Sequence, residues 1–598
     1  MTAFINGQET APEPNETILS AAKRVGIYIP TLCELSDINH APGTCRVCLV
    51  EATRTGGHEP QIVTACTTPL EEGMSVSTNS RKVRDMQRLQ VELLLADHNQ
   101  DCATCIRHGD CELQDVAQYV GLRESRFHNR AWATARPLDT SSPALVRDME
   151  KCIRCQRCIA VCRDIQGVDA LVINGTGVET SIGLKNGLNQ AQSDCVNCGQ
   201  CVMVCPTGAL AERDDTEIVL DYLYDPDIVT VFQFAPAVRV GFADETRMDN
   251  VEGQIIAALR KMGADIVLDT NFAADLVIME EGTEVLSRIK AGKKPTFTSC
   301  CPAWINFAEK HMPEVLPYIS STKSPQQCLG AIAKTYLAEK MAIDPAKMRV
   351  ISIMPCTAKK DERARPAQTR DGVPDVDVVL TIREFSRLLK REGIDLKSLE
   401  PSTYDNPYMG EYTGAGVIFG TTGGVMEAAV RTLYYVVNGK ELDAVEVAPL
   451  RGFENVRSAT LDLGGDVGPV KLAVCHGLKG ARQMVEAVLS GKADFDFIEV
   501  MACPGGCMDG GGHIRPKKAY LKNARKRREA LFAIDRGKAS RQSHNNVQLQ
   551  ALYRDYLERP MSEVSHELLH TYYSDRRREI DQTIKEIWND IRPVATVF

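Results

Sequence analysis

A chain of 598 residues is too long for a single core, and about four domains are expected. With 44% apolar residues it can build substantial cores, and a formal charge of -9 leaves no basic footprint for nucleic acid. The 22 cysteines fall largely into short metal-ligand spacings; no run nears the roughly 18 apolar residues of a membrane span, and Met1–Thr10 shows no secretory or twin-arginine leader, so a reducing cytoplasm is the expected home.

The opening T-A-F-I-N-G-Q-E-T predicts a strand, a turn at Asn6 and Gly7 and a second strand, with a helix from Thr17 to Arg24 behind it. Cys33, Cys45, Cys48 and Cys66 follow in the spacing C-x11-C-x2-C-x17-C, and Gly43 supplies a flexible loop. Four thiolates so spaced suit a structural zinc or a [2Fe-2S] cluster, and the beta-grasp start resembles a plant-type [2Fe-2S] domain. A helix is predicted over Lys82–Asp97 with Met86, Leu89, Leu93 and Leu94 on its apolar side. His98, Cys102, Cys105 and Cys111 then read H-x3-C-x2-C-x5-C, a donor set that by itself suits either zinc or a [4Fe-4S] cluster. Arg126–Pro143, with Trp132 and Pro137, reads as a linker.

The most specific spacing comes next. C-x2-C-x2-C-x3-C occurs at Cys152, Cys155, Cys158 and Cys162 and again at Cys195, Cys198, Cys201 and Cys205, with Pro206 after the last. In such ferredoxin-like pairs the fourth cysteine of each run ligates the other cluster. One cubane would take Cys152, Cys155, Cys158 and Cys205, the other Cys162, Cys195, Cys198 and Cys201. From Val229 onward short apolar strands alternate with helical segments, an alpha/beta pattern, and reactive motifs stand at strand ends. Gly414–Glu427 is glycine-rich but has neither the lysine of a phosphate loop nor dinucleotide spacing, so it reads as a backbone element built for close approach.

Three segments of this last region carry paired or proline-flanked cysteines: T-S-C-C-P-A-W at Thr298–Trp304, M-P-C-T-A-K-K-D-E at Met354–Glu362, and M-A-C-P-G-G-C-M-D-G-G-G at Met501–Gly512. Together they resemble the three signatures of the iron-only, or [FeFe], hydrogenases. The two N-terminal cluster modules resemble those of the same family and of the large iron-sulfur subunit of complex I, which turns the His98 site from zinc toward [4Fe-4S]. The resemblance implies a multidomain α/β and α+β chain: a beta-grasp [2Fe-2S] domain over 1–80, a histidine-ligated [4Fe-4S] module and linker over 81–140, a 2[4Fe-4S] ferredoxin-like domain over 141–222, and a two-lobed α/β catalytic domain with a C-terminal tail over 223–598. It implies an H-cluster, a [4Fe-4S] cubane on Cys301, Cys356, Cys503 and Cys507, with Cys507 bridging to a di-iron unit that bears carbon monoxide, cyanide and a dithiolate. One [2Fe-2S] and three accessory [4Fe-4S] clusters complete the expected set, with no nucleotide or flavin on this chain.

By the same resemblance Lys359 faces a cyanide, and Ala235, Pro236, Ser324, Pro325, Gln326, Met354, Phe419 and Met501 line the pocket. Cys300 is the terminal proton relay, with Glu281, Ser320, Glu284 and Arg288 leading to solvent; E-G-T-E puts both glutamates on one helical face. Cys328 and Cys475 are expected to be core thiols. The family commonly has glutamine after its three glycines, where this chain has His513. The basic run Lys517, Lys518, Lys522, Arg525, Lys526, Arg527 and Arg528 reads as a solvated helix face, the alternative being a dock for an acidic electron carrier. The tail from Ser540 to Ser574 is expected to cover the catalytic domain.

The implied function is reversible interconversion of dihydrogen with protons and electrons. Expected partners are ferredoxin, flavin- and NAD(P)-reacting subunits with a small iron-sulfur subunit in a possible bifurcating complex, and maturation factors that insert the cofactor. The alternatives are a stand-alone ferredoxin-dependent hydrogenase and a non-catalytic iron-sulfur scaffold, the latter disfavoured by the presence of Cys300 and Lys359.

Overall fold

The computed structural model describes residues 2–584 except 58, 128–137, 444, 453, 517–518, 521–523 and 578–579. Most of the linker, Lys517, Lys518 and Lys522 of the basic run and residues 585–598 therefore lie outside the described residues. Among those described, no helix is long and apolar enough to cross a membrane.

The N-terminal hairpin forms as its sequence demands. Strands Ala3–Ile5 and Gln8–Thr10 pair antiparallel across Asn6 and Gly7, both at positive φ (53° and 81°), the turn that asparagine-glycine favours. Ser75–Ser77, Leu49–Thr53 and Gln61–Thr64 complete a five-stranded sheet, and the helix Ile18–Arg24, capped by Thr17, packs on it. The next helix spans Arg81–Ala96, but its buried face is not the predicted one. Val83, Gln87, Val91, Glu92 and Ala96 face inward, whereas Leu93 is 47% exposed. Gln87 tolerates burial because its amide donates to the Leu49 carbonyl at 2.9 Å, and Glu92 because it pairs with Arg88 and Arg126.

A single buried arginine fastens the three cluster modules together. Arg157, inside the C-x2-C-x2-C run, grips both oxygens of Glu112 (3.1 and 3.0 Å) and donates to the Glu34 carbonyl at 3.0 Å. The planar fork of arginine suits this bidentate hold.

The catalytic region contains two sheets. One is parallel throughout, in the order Ile266–Asp269, Val229–Phe234, Met348–Met354, Val378–Thr381. The other runs Thr296–Phe297, Phe497–Met501, Pro469–His476 in parallel, with Val456–Asp462 added antiparallel. The inner parallel strands are mostly apolar because both their faces are buried, whereas Val456–Asp462 at the sheet edge alternates and is partly exposed. Parallel strands end on the same side, so Ala235, Cys301, Cys356 and Cys503, far apart in sequence, leave their strands toward one place.

The ferredoxin-like unit is bolted directly to that place. Lys310 donates to the Ser193 and Cys195 carbonyls (2.9 and 2.7 Å), Thr357 to the Asn197 carbonyl (2.6 Å), and Gln200 to the Asp509 carbonyl (3.0 Å). At the junction two backbones touch: a β-carbon on Gly511 would stand 2.1 Å from the Cys198 carbonyl oxygen and 2.7 Å from Gly199 backbone atoms. Gly511→Ala is therefore expected to cost about 1–3 kcal/mol of packing at this seam and to slow electron delivery. Hydrogen–deuterium exchange, which needs proton transfer but no net electron transfer along the cluster modules, should persist while dye-linked turnover falls several-fold; an equal loss of both would refute the assignment.

Candidate active site

The three cysteine segments meet at one cavity of ≈ 80 Å³. Cys301, Cys356, Cys503 and Cys507 all line it, as do Cys300, Lys359, Ala235, Pro236, Pro325, Gln326, Met354, Phe419 and Met501. Each ligand candidate is delivered by the same device, a strand end followed by a tight turn. Cys301 precedes the helix Pro302–His311, whose proline starts it; Cys356 stands between Met348–Met354 and the helix Ala358–Arg363; Cys503 and Cys507 follow Phe497–Met501. Between the last two, Gly506 has φ 104°, and a β-carbon there would meet the Thr422 nitrogen at 2.6 Å, so only glycine fits.

One predicted lining residue does not reach the cavity. Ser324 stands behind it, where its hydroxyl donates to Glu362 Oε2 at 2.9 Å. That glutamate, unassigned from sequence, organises the cationic wall. It pairs with Lys359 Nζ at 2.9 Å and accepts from the Gln326 amide at 3.2 Å, while Lys359 also donates to the Cys300 carbonyl at 3.2 Å. Burial works against the ammonium, but Glu362 outweighs it and the pKa of Lys359 stands above its usual value. The only sequence signal for Glu362 is its i,i+3 spacing from Lys359.

The glycine-rich segment is held by a second unpredicted carboxylate. Glu499, two residues before Met501, accepts from the Gly423 and Met426 amides (2.6 and 2.8 Å) at the start of the helix Gly424–Asn438. Its own charge occupies the place where a phosphate would sit in a nucleotide loop. Burial pushes its pKa up to about 7.

From Cys300 a row of polar groups runs outward along the helix Thr270–Lys290. Glu281 is fully buried and accepts from the Ser299 amide (3.1 Å) and hydroxyl (3.3 Å), with Oε2 left without a partner. Burial, then the neighbouring Glu284, raise its pKa to about 8. The Ser320 hydroxyl donates to Glu284 at 2.7 Å, and Glu284 pairs with Arg288 at 2.7 Å. Arg288 is the exposed end, its side chain 24% accessible. The tail covers this row as expected: Thr571 donates to the Ser321 carbonyl and the Tyr573 hydroxyl to that of Ser320 (2.7 and 3.0 Å). Arg527 of the basic run does not face solvent; it is buried and donates to the Met508 carbonyl at 3.0 Å and Asp509 at 3.2 Å. His513 is likewise buried, with Nε2 donating to the Cys507 carbonyl at 3.2 Å.

Two smaller cavities of ≈ 30 and ≈ 20 Å³ lie in the ferredoxin-like unit. Cys162, Cys195, Cys198 and Cys201 line the first; Cys152, Cys155, Cys158 and Cys205 line the second. In the N-terminal sheet domain Cys33, Cys45, Cys48 and Cys66 are buried, with the Cys48 and Cys66 sulfurs 3.4 Å apart. His98 and Cys111 are buried and Cys102 and Cys105 half-buried. Cys328 and Cys475 sit in the cores. Soft thiolates grouped in fours around dry cavities fit iron-sulfur clusters, and at the cavity of Cys301, Cys356, Cys503 and Cys507 the buried ammonium of Lys359 fits anionic ligands beyond the cubane.

Comparison with known proteins agrees along the length of the chain. The family described as iron only hydrogenase large subunit, C-terminal domain, matches residues 228–511, and iron hydrogenase small subunit matches 521–576. A 2Fe-2S iron-sulfur cluster binding domain matches 1–81, the NADH-ubiquinone oxidoreductase-G iron-sulfur binding region 87–126, and a 4Fe-4S dicluster domain 151–209. The chain is 43% identical to the NADP-reducing hydrogenase subunit HndD of Solidesulfovibrio fructosivorans, over 97% of this chain and 99% of that one. It is 36% identical to iron hydrogenase 1 of Clostridium pasteurianum, over 96% and 99%. A solved structure of apo [FeFe]-hydrogenase HydA1 from Chlamydomonas reinhardtii superposes with a TM-score of 0.54 at 37% identity, covering 61% of this chain and 99% of that one. The chain therefore belongs to the iron-only hydrogenase family, oxidoreductases that act on dihydrogen.

Proposed function

We propose that this chain is the hydrogen-reacting subunit of a multisubunit NAD(P)-linked hydrogenase of the cytoplasm, built from the four domains 1–80, 81–140, 141–222 and 223–598. The observation that carries the catalytic part is the convergence of five cysteines and Lys359 on one dry cavity. Cys301, Cys356, Cys503 and Cys507 would hold the H-cluster, Cys507 being the ligand that would link its two parts. When bound, that group supplies the iron centre at which dihydrogen is made or split. The apolar wall of Ala235, Pro236, Pro325, Met354, Phe419 and Met501 excludes water, and Lys359, oriented by Glu362, offers its ammonium to an anionic ligand. Cys300 carries the proton at the cavity; Glu281, Ser320 and Glu284 pass it toward solvent, and Arg288, paired with Glu284 at 2.7 Å, fixes the outer end of the route. The second oxygen of Glu281, buried without a partner, is the open acceptor that such a row needs.

Cys33, Cys45, Cys48 and Cys66 would hold one [2Fe-2S] cluster, His98, Cys102, Cys105 and Cys111 one [4Fe-4S] cluster, and the two ferredoxin-like cysteine sets a cubane each, groups that would supply the path for electrons. The chain has no nucleotide loop, so pyridine nucleotide reacts on another subunit, with ferredoxin as a further partner. The 43% identity to an NADP-reducing hydrogenase subunit over 97% of the chain supports this complex over a stand-alone enzyme.

Infrared spectroscopy on protein co-produced anaerobically with the maturation factors is expected to give carbon monoxide and cyanide bands that shift under dihydrogen. Fully iron-loaded protein without those bands would leave an electron-transfer scaffold. A native preparation that is monomeric and reduces ferredoxin but never NAD(P) would overturn the complex alone.

A further inference from the structure

Arg147 ends the short strand Leu145–Arg147, which pairs antiparallel with Leu210–Glu212. Its side chain lines both small cavities of the ferredoxin-like unit, that of Cys162, Cys195, Cys198 and Cys201 and that of Cys152, Cys155, Cys158 and Cys205. The residue is 6% exposed. Nη2 donates to the Ile182 carbonyl at 3.0 Å, Nη1 lies 3.7 Å from Asp139 Oδ2, and Nε is buried without a hydrogen-bond partner.

Arginine does not shed its proton in a protein. A full positive charge, incompletely compensated by one carboxylate, thus stands between two walls of thiols. Stability does not explain it, since a buried charge is costly and an apolar side chain of similar length usually packs there at no loss. The charge of Arg147 favours any added negative charge in either cavity, and in a dry site that effect is poorly screened.

We propose that Arg147 is a tuning residue shared by the two ferredoxin-like cubanes, raising both reduction potentials together so that the step between them stays small. This rests on the ligand sets given above. A cluster becomes more negative on reduction, so a fixed cation beside it stabilises the reduced form. A cation common to both cavities shifts both in the same direction.

The test is a redox titration of the full chain, anaerobically loaded and followed by electron paramagnetic resonance. Arg147→Met is expected to lower both cubane midpoints, cutting the reduced fraction at a fixed potential several-fold, and to leave the [2Fe-2S] midpoint where it was. Arg147→Gln serves if the methionine variant does not assemble. Arg147→Lys, which keeps the charge, should restore most of the shift, an outcome that a packing role would not produce. Unmoved midpoints in the methionine and glutamine variants, movement of one cubane only, or a lysine variant that behaves like methionine would each overturn the proposal. The ligand reading fails differently: Cys152→Ser and Cys195→Ser should each perturb one cubane signal, and two unaltered signals in both would remove that reading and the proposal with it.

Discussion

Cys300→Ala is expected to lower turnover by about 10²–10⁴-fold while iron content and the carbon monoxide and cyanide bands stay as in the wild type. Elimination within the cavity wall leads to this residue. The lining groups that carry a transferable proton are the cysteines, Lys359 and the Thr270 hydroxyl. In the proposed ligand set four of the cysteines hold metal. The Lys359 ammonium is bonded to Glu362 and to the Cys300 carbonyl, and the Thr270 hydroxyl donates to the Gln233 side chain at 2.9 Å. Cys300 remains, half-buried at the cavity, with Glu281 as its strongest charged neighbour; burial of its sulfur and that carboxylate hold its pKa well above the ordinary thiol value. A thiol kept protonated beside an acceptor is suited to hand a proton over and take one back. Turnover measured per infrared-quantified site decides the matter. Wild-type turnover in the variant would remove Cys300 from the relay, and loss of the bands would make it a structural residue of the cofactor site.

The cavity is legible in the sequence because three short cysteine segments beside glycine and proline, far apart in the chain, together resemble a family's signatures. Its charged framework is not. Glu362 and Glu499 act across the tertiary structure, the first on Ser324 and Gln326, the second on the amides of a helix some 75 residues earlier in the chain (73 and 76 residues for Met426 and Gly423). Arg157 looks like a surface charge in a polar, cysteine-rich run, and only packing of three modules buries it; Arg147 is buried within the ferredoxin-like unit, beside its two cysteine-lined cavities. The same competition misdirects the face of Arg81–Ala96. Hydrophobicity points to Leu93, yet Gln87 goes inside because a strand carbonyl waits for its amide. Arg527 belongs to a run of basic letters but answers to the carbonyl of Met508.

Glu281→Gln is the second large effect, and it separates function from stability in opposite directions. The variant keeps an oxygen to accept from Ser299 but cannot take up and release a proton, so turnover should fall by about 10²-fold or more. Stability should not fall with it. The wild-type carboxyl is raised from 4.5 to about 8, first by burial and then by Glu284. Below pH 4.5 it is protonated in the folded and unfolded chain alike and costs nothing. As pH rises through the interval up to about 8, the unfolded chain ionises and the folded one does not, so stability is lost progressively; above that the loss is complete. At pH 7 the penalty is on the order of a few kcal/mol, at about 1.4 kcal/mol per pH unit. Glutamine is neutral throughout and escapes it. Thermal unfolding of the anaerobically purified variant is therefore expected at or above the wild-type temperature at pH 7, with the gap widening between pH 5 and pH 8. A variant that is both inactive and less stable, with no dependence of the gap on pH, would mean that Glu281 is held for packing and that protons reach Cys300 by another route.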